Sequence, residues 1–220
     1  MSPKVSAYVL HCESPNSDLL LWETITSLGE SDYENLEVYV VENGCEVSWL
    51  PVDSRLHLPA NVGVAKGFNA CLGTGSDYTL LLNNDVRVDK EMVSRLVDTG
   101  ERFGDCGIVC PRIFYYGTKK IWYDGGIFNE WTGVTRHKNI RKIGPPDSKA
   151  QETDYATGCC MLIKSDCIKR VGYFDEAYSP AYSEDADYSL RARQAGFKIM
   201  VTPKAKLWHK ISQSIKILEG

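Results

Sequence analysis

Several short polar stations in this chain combine side chains that can bind ligands or move protons. Glu42-Asn43-Gly44 follows an apolar run at 38–41, and Asn83-Asn84-Asp85 follows another at 78–82. In an open α/β sheet, ligands collect beyond the carboxyl ends of the strands. Both stations can therefore reach a ligand while their backbones stay anchored. Asn-Gly and Asn-Asp are also turn formers. That accounts for Asn43-Gly44 equally well, and for Asp85 less well, because Asp89 already offers a helix start. Glu184 and Asp185 come directly after Ser183, the expected cap of another helix. A helix N-terminus favours an ionised carboxylate by about 0.3–1 kcal/mol at an exposed site, and a base must be charged before it acts. Acids in a first helical turn also serve stability alone, which suffices for Asp187. His209 follows an apolar run at 205–208. Taken alone, it reads more readily as a histidine satisfied by backbone partners than as a metal ligand.

The elements that must hold these stations alternate in the first half. Strands are expected at 5–10, 36–41, 55–58 and 78–82, and helices at 17–28, 63–72 and from Asp89 to about Gly100. The run at 36–41 is apolar enough to be buried on both faces. Such alternation predicts an α/β fold whose mostly parallel central sheet carries helices on both faces. The second half is less regular. Short apolar pieces at 108–128 are broken by Gly117, Gly125 and Gly126, and 129–153 reads as a polar loop. A strand at 158–163, a helix from Ser165 to Gly172, a helix from Ser183 to about Gly196 and a strand at 197–201 follow.

With 220 residues, 43% of them hydrophobic and 25% charged, the chain suits one α/β domain, expected over 1–217. The tail Leu218-Glu219-Gly220 has no domain-closing pattern, so continuation beyond 217 stays open. A net charge of −4 argues against broad nucleic-acid binding. The eight cysteines form no CxxC pair, and several sit in apolar runs such as 159–163. They read as reduced, small hydrophobes in a cytoplasmic protein. No signal peptide opens the chain, and no run reaches the roughly 18 apolar residues of a membrane span. His11, His57 and His137 receive no role. Arg136, His137, Lys138, Arg141 and Lys142 make a basic cluster in the long loop. A solvated loop explains it better than a phosphate-bearing acceptor or an anionic membrane surface does.

Larger motifs narrow the reading. Residues 61–69 (Asn61-Val62-Gly63-Val64-Ala65-Lys66-Gly67-Phe68-Asn69) and 80–86 (ending Asn83-Asn84-Asp85-Val86) resemble the donor half of family 2 glycosyltransferases. Residues 157–164, 172–176, 183–187, 191–196 and Trp208-His209-Lys210 resemble the acceptor half of its rhamnosyltransferase-like branch. The ordered set spans about residues 5–214.

That resemblance implies a GT-A fold with donor half 1–105 and acceptor half 106–217. It also implies a nucleotide-diphosphate sugar donor, a divalent metal (Mn2+ or Mg2+) and inversion at the anomeric carbon. The acceptor would be a glycan or lipid-linked glycan, and the work would lie at the inner face of a membrane. Carried onto this sequence, Asp85 and His209 hold the metal, Asp185 is the base, and Glu184 contacts the acceptor or orients the loop. Glu42, Asn43, Asn61, Gly63, Gly67, Asn69, Asn83 and Asn84 face the donor; Gly126, Thr157 and Gly158 face the acceptor. The family's Asp-x-Asp begins here with Asn83, so one negative charge is missing. That departure is the one feature favouring a non-catalytic, nucleotide-sugar- or glycan-binding relative. A nucleotidyltransferase would need a Gly-rich basic loop after the first strand, where residues 12–16 have neither glycine nor lysine. An oxidoreductase would need GxGxxG after a strand, and none occurs.

Overall fold

A computed structural model describes residues 2–50, 52, 54–144 and 149–211. The expected boundary at 217 lies outside the described residues. The chain opens with β1 (Val5–His11), α1 (Ser17–Gly29), β2 (Leu36–Asn43), β3 (Arg55–Leu58), α2 (Val64–Asn69) and β4 (Tyr78–Asn83). Next come β5 (Val86–Val88), α3 (Met92–Arg102), β6 (Cys106–Tyr115), β7 (Ile121–Tyr123), β8 (Gly126–Asn129), β9 (Val134–His137) and β10 (Gln151–Glu152). β11 (Cys160–Lys164), α4 (Ser165–Val171), α5 (Glu184–Gln194) and β12 (Lys198–His209) complete it.

Every residue of β1 is buried, on both sides of the pleat. It is accordingly an interior strand, pairing in parallel with β2 on one edge and β4 on the other. β3 extends this parallel group beyond β2. The whole sheet runs β10-β12-β6-β11-β4-β1-β2-β3, with β5 on β12, β7 on β6, and β8-β9 as a separate ribbon. Parallel pairing, as expected, governs the first half. The second half makes the sheet mixed, because β11 is antiparallel to both β4 and β6. The reason is local. The chain enters β11 where β4 ends, with Asn83 N–H donating to the Cys159 carbonyl at 3.2 Å, so no crossover is needed.

Several expected elements change at this level. β2 is buried only toward its carboxyl end, since its first residues lie at the sheet surface. α2 covers 64–69 rather than 63–72. Asp89 does not cap α3; the cap position is Glu91, and Asp89 forms the preceding turn by accepting from Glu91 N–H at 3.1 Å. Ser183 holds the cap position of α5 without a side-chain cap bond, because its backbone is left-handed (φ 75°). The loop expected at 129–153 contains β9 and β10. β12 continues to His209 through a register shift between Thr202 and Lys206.

All eight cysteines are free thiols. Burial raises Cys71, Cys106 and Cys167 to about 12, so they are inert packing groups. Among the described residues, no helix is long and apolar enough to cross a membrane.

Candidate active site

A cleft of about 560 Å³ opens at the carboxyl ends of β1, β2 and β4. Asp85 and Asp185 both line it, one from each half of the chain. Asn43, Asn61, Gly63, Asn83 and Asn84, all expected to face the donor, line one side, together with Cys12. Thr157, Gly158, Glu184 and His209 line the remainder.

The donor wall is held by amides bonding to backbone. Asn43 Oδ1 accepts from Val62 N–H at 2.8 Å, and its Nδ2 donates to Asn61 Oδ1 at 3.1 Å. Asn61 Oδ1 also accepts from Gly63 N–H at 3.0 Å. Gly63 has φ 83°, and a side chain there would press against the Pro180 carbonyl. Glycine is required at this position both by backbone conformation and by space. Asn84 is fixed from behind by His11, whose Nδ1 lies 2.8 Å from Asn84 Nδ2. Burial lowers the pKa of His11, so the neutral ring can accept through this nitrogen.

Asp85 and His209 meet through strand pairing. β5 runs antiparallel to the end of β12, with Val86 opposite His209. This sets His209 Nε2 3.1 Å from Asp85 Oδ1. The imidazole packs edge-on against Trp122, with ring centres 4.6 Å apart. Burial opposes a charge on His209, but the Cys159 sulfur and the Asp85 carboxylate outweigh it and raise the pKa to about 10. His209 Nδ1 is buried with no hydrogen-bond partner among the described residues. A buried imidazole nitrogen, Nε2, 3.1 Å from a buried carboxylate is a donor set that fits a divalent cation. Among the described residues no group of three or more His, Cys, Asp or Glu side chains converges. Asp85 and His209 would therefore need diphosphate oxygens or water to complete a coordination shell.

Glu184 and Asp185 are presented by a strained turn. Tyr182 (φ 83°) and Ser183 (φ 75°) are both left-handed, and neither is glycine. Such residues cost about 1–3 kcal/mol each and persist where surrounding structure fixes them. Asp185 Oδ2 accepts from Gly158 N–H and its Oδ1 from Ala186 N–H, both at 2.8 Å. The helix start was expected to keep this carboxylate readily ionised. Burial instead dominates and raises its pKa, although those backbone donors oppose the shift. Glu184, only 6% exposed, is pushed up to about 7 by burial and by the neighbouring Asp185 charge. Its Oε2 has no hydrogen-bond partner among the described residues.

Four expected site residues lie outside the cleft lining. Glu42 accepts from Val47 N–H at 2.9 Å and pairs with His57 at 3.2 Å, bracing the loop after β2. Gly67 lets α2 approach the Leu10 side chain on β1. Asn69 bonds Phe174 through both its amide atoms, tying α2 to the segment before α5. Gly126 leaves room for the ring of Tyr155, and Tyr155 itself lines the cleft.

The structure also adds Trp122, Tyr155 and His137 to the wall. His137 sits on β9 with Nδ1 3.0 Å from the Trp122 carbonyl. A carbonyl only accepts, so the proton rests on Nδ1 and Nε2 keeps its lone pair. Burial lowers the pKa and keeps the ring neutral. Asn129 and Gly133 mark the turn in the sequence, but the run 134–137 that follows is mostly polar and does not announce a strand.

With this geometry in place, comparison with known proteins is decisive. The family model described as Glycosyl transferase family 2 matches residues 16–172. The chain belongs to glycosyl transferase family 2. Among its relatives is the N-acetylglucosaminyl-diphospho-decaprenol L-rhamnosyltransferase of Mycobacterium tuberculosis, 24% identical over 63% of this chain and 48% of the relative. Another is the succinoglycan biosynthesis protein ExoM of Rhizobium meliloti, 26% identical over 84% of this chain and 61% of the relative. A crystal structure of GalNAc-T7 with UDP, GalNAc and Mn2+ superposes with a TM-score of 0.74 at 13% identity, covering 94% of this chain and 44% of that one. The fold of this family 2 chain is therefore GT-A. The chain spans about half the length of these relatives.

Proposed function

We propose that this chain transfers a sugar, with inversion, from a nucleotide-diphosphate donor to a hydroxyl of a glycan or lipid-linked glycan acceptor. One observation carries the reading: Asp85 with His209, and Asp185 with Glu184, converge on a single cleft from separate parts of the chain. The relatives support it, since a rhamnosyltransferase and a succinoglycan biosynthesis protein are among them and a structural neighbour holds UDP with Mn2+.

Asn43, Asn61 and Gly63 shape the pocket for nucleoside and ribose, and Asn83 and Asn84 lie nearer Asp85. Asp85 and His209 would hold Mn2+ or Mg2+, which offsets the charge developing on the departing diphosphate. Ligation needs the neutral imidazole, so His209 gives up its proton to the solvent when it binds metal. Asn83 contributes no charge, so Asp85 is the sole carboxylate of its Asn83-Asn84-Asp85 station. Asp185 takes the proton of the attacking hydroxyl. Its raised pKa makes its ionised form a stronger base than an exposed carboxylate. Glu184, titrating near neutrality, can donate a hydrogen bond to the acceptor through the proton it carries. His137 Nε2 accepts from a further acceptor hydroxyl, with the Trp122 and Tyr155 rings as apolar walls.

The test is a thermal-shift series with UDP, dTDP and GDP, each with Mn2+, with Mg2+ and with EDTA. Stabilisation by one nucleotide only when metal is present supports the reading. The absence of metal-dependent stabilisation by all three would refute it. Binding without transfer to any acceptor would favour a non-catalytic relative.

A further inference from the structure

The β8–β9 ribbon has two unlike faces. Directly opposed residues of antiparallel strands share a face. Gly126 with His137 and Phe128 with Thr135 therefore form one, and Ile127 with Arg136 and Asn129 with Val134 form the other. The first face is occupied: His137 and Thr135 line the cleft, and Phe128 packs on the core. The second faces outward, with Ile127 and Val134 about half exposed. The turn joining the strands, closed by Gly133 N–H donating to the Asn129 carbonyl at 2.8 Å, holds Trp131 out with 98% exposure. Ile140 and Ile143 continue this apolar surface along the chain, Ile143 being 72% exposed.

Charge is segregated onto the same region. Arg136 shares the outward face, and Lys138, Arg141 and Lys142 alternate with the exposed isoleucines. Of the acids nearby, Asp124 is buried against Arg112 at 2.9 Å, and Glu130 pairs with Arg193. The ribbon is also fixed at its base. Gly126 N–H donates to Thr153 Oγ1 at 2.6 Å, Phe128 N–H to Asp154 Oδ2 at 3.0 Å, and Lys138 N–H to the Gly125 carbonyl at 2.8 Å. An exposed tryptophan on a firmly anchored ribbon is a built feature of the fold.

We propose that this outward face docks on an anionic lipid surface, with Trp131 at the headgroup boundary and Arg136, Lys138, Arg141 and Lys142 against the lipid charges. The mixture of side chains selects this occupant. Tryptophan and arginine suit either kind of surface, but lysine is depleted at protein–protein interfaces, and here Lys138 and Lys142 lie among the apolar groups. The interfacial layer of a bilayer accommodates both, apolar groups at the acyl boundary and cations at the headgroups. Because the opposite face of the ribbon walls the cleft, docking would hold the cleft within about a ribbon's thickness of the headgroups, where a lipid-linked acceptor is carried. That consequence rests on the transferase reading; the docking does not.

The test is flotation of the protein with vesicles of phosphatidylcholine alone, or with about 30% phosphatidylglycerol. No sugar donor or acceptor is present, so a negative result leaves the transferase reading standing. Binding is expected to the anionic vesicles only and to weaken as salt rises. Trp131→Ser should lower partitioning about tenfold, and neutralising Arg136, Lys138, Arg141 and Lys142 to Gln at least ~100-fold. Ile127→Thr with Val134→Thr keeps β-forming residues in the ribbon and should weaken binding too. Equal binding by wild type and all variants, or no binding to anionic vesicles, overturns the proposal. So does a concentration-dependent dimer, seen by sedimentation, that Trp131→Ser abolishes.

Discussion

The two walls of the cleft are built by different means. The donor wall is a set of strand ends: the loop beyond β2 is clamped by Asn43 and Asn61, and Asn84 is held by His11. Its polar groups are largely satisfied by one another before any ligand arrives. The acceptor wall is assembled from a strained turn, a glycine loop and a ribbon. It keeps buried carboxylates whose ionisation is opposed by their surroundings, and Glu184 Oε2 has no hydrogen-bond partner among the described residues. Satisfied amides favour a rigid, pre-shaped pocket, and carboxyls whose ionisation is opposed suit proton exchange with a ligand. On the proposed roles, the pocket amides come from the first half of the chain and the proton-exchanging carboxyls from the second, while Asp85 and His209 join the two.

This division can be broken most severely at Asp185. Asp185→Asn should lower kcat by about 10²–10⁴-fold while nucleotide affinity, measured by titration calorimetry, stays within twofold of wild type. A matching loss in nucleotide affinity would show that the walls are not separate.

Glu184 tests the stored ionisation cost through stability. In the folded protein burial pushes its pKa up to about 7, above the ordinary carboxyl value of 4.5. The folded state therefore binds the proton more tightly. The resulting stabilisation is fully present below the unfolded pKa and is lost as pH rises through the folded one. Between pH 5 and 8 the wild type should lose more thermal stability than Glu184→Gln, by roughly 1–3 kcal/mol. Parallel Tm profiles for the two proteins would remove Glu184 as a buried carboxyl titrating near neutrality.

The smallest effects sharpen the contrast by crossing it. Asn43→Ala should weaken nucleotide binding about tenfold and leave acceptor KM unchanged, because it frees the 61–63 loop. His137→Phe should raise acceptor KM about fivefold and leave nucleotide affinity unchanged. The same response to both changes would erase the distinction.

Legibility followed the same line. On the donor side, β1 and β4 ended within a residue of expectation, because fully buried parallel strands read as continuous apolar runs. Asp85 and Asp185 were legible as stations, and both line the cleft. Glu42, Gly67, Asn69 and Gly126 share motifs with cleft residues but brace the scaffold, a distinction that needs three-dimensional packing. β9 was hidden because its residues are mostly polar and exposed and pair only with β8. His137 was lost with it. The pKa of Asp185 was misjudged for a related reason: a helix start can be read from sequence, but the burial that overrides it cannot.

The pairing of Val86 with His209 also has a consequence for the order in which the molecule is made. During synthesis the carboxyl ends of β1, β2 and β4 can come together while the end of β12 is still inside the ribosome. The partner of Asp85 arrives only after the ribbon and the turn bearing Asp185 have emerged. A nascent chain therefore cannot join Asp85 to His209 until the β8–β9 ribbon and the turn bearing Asp185 are already present.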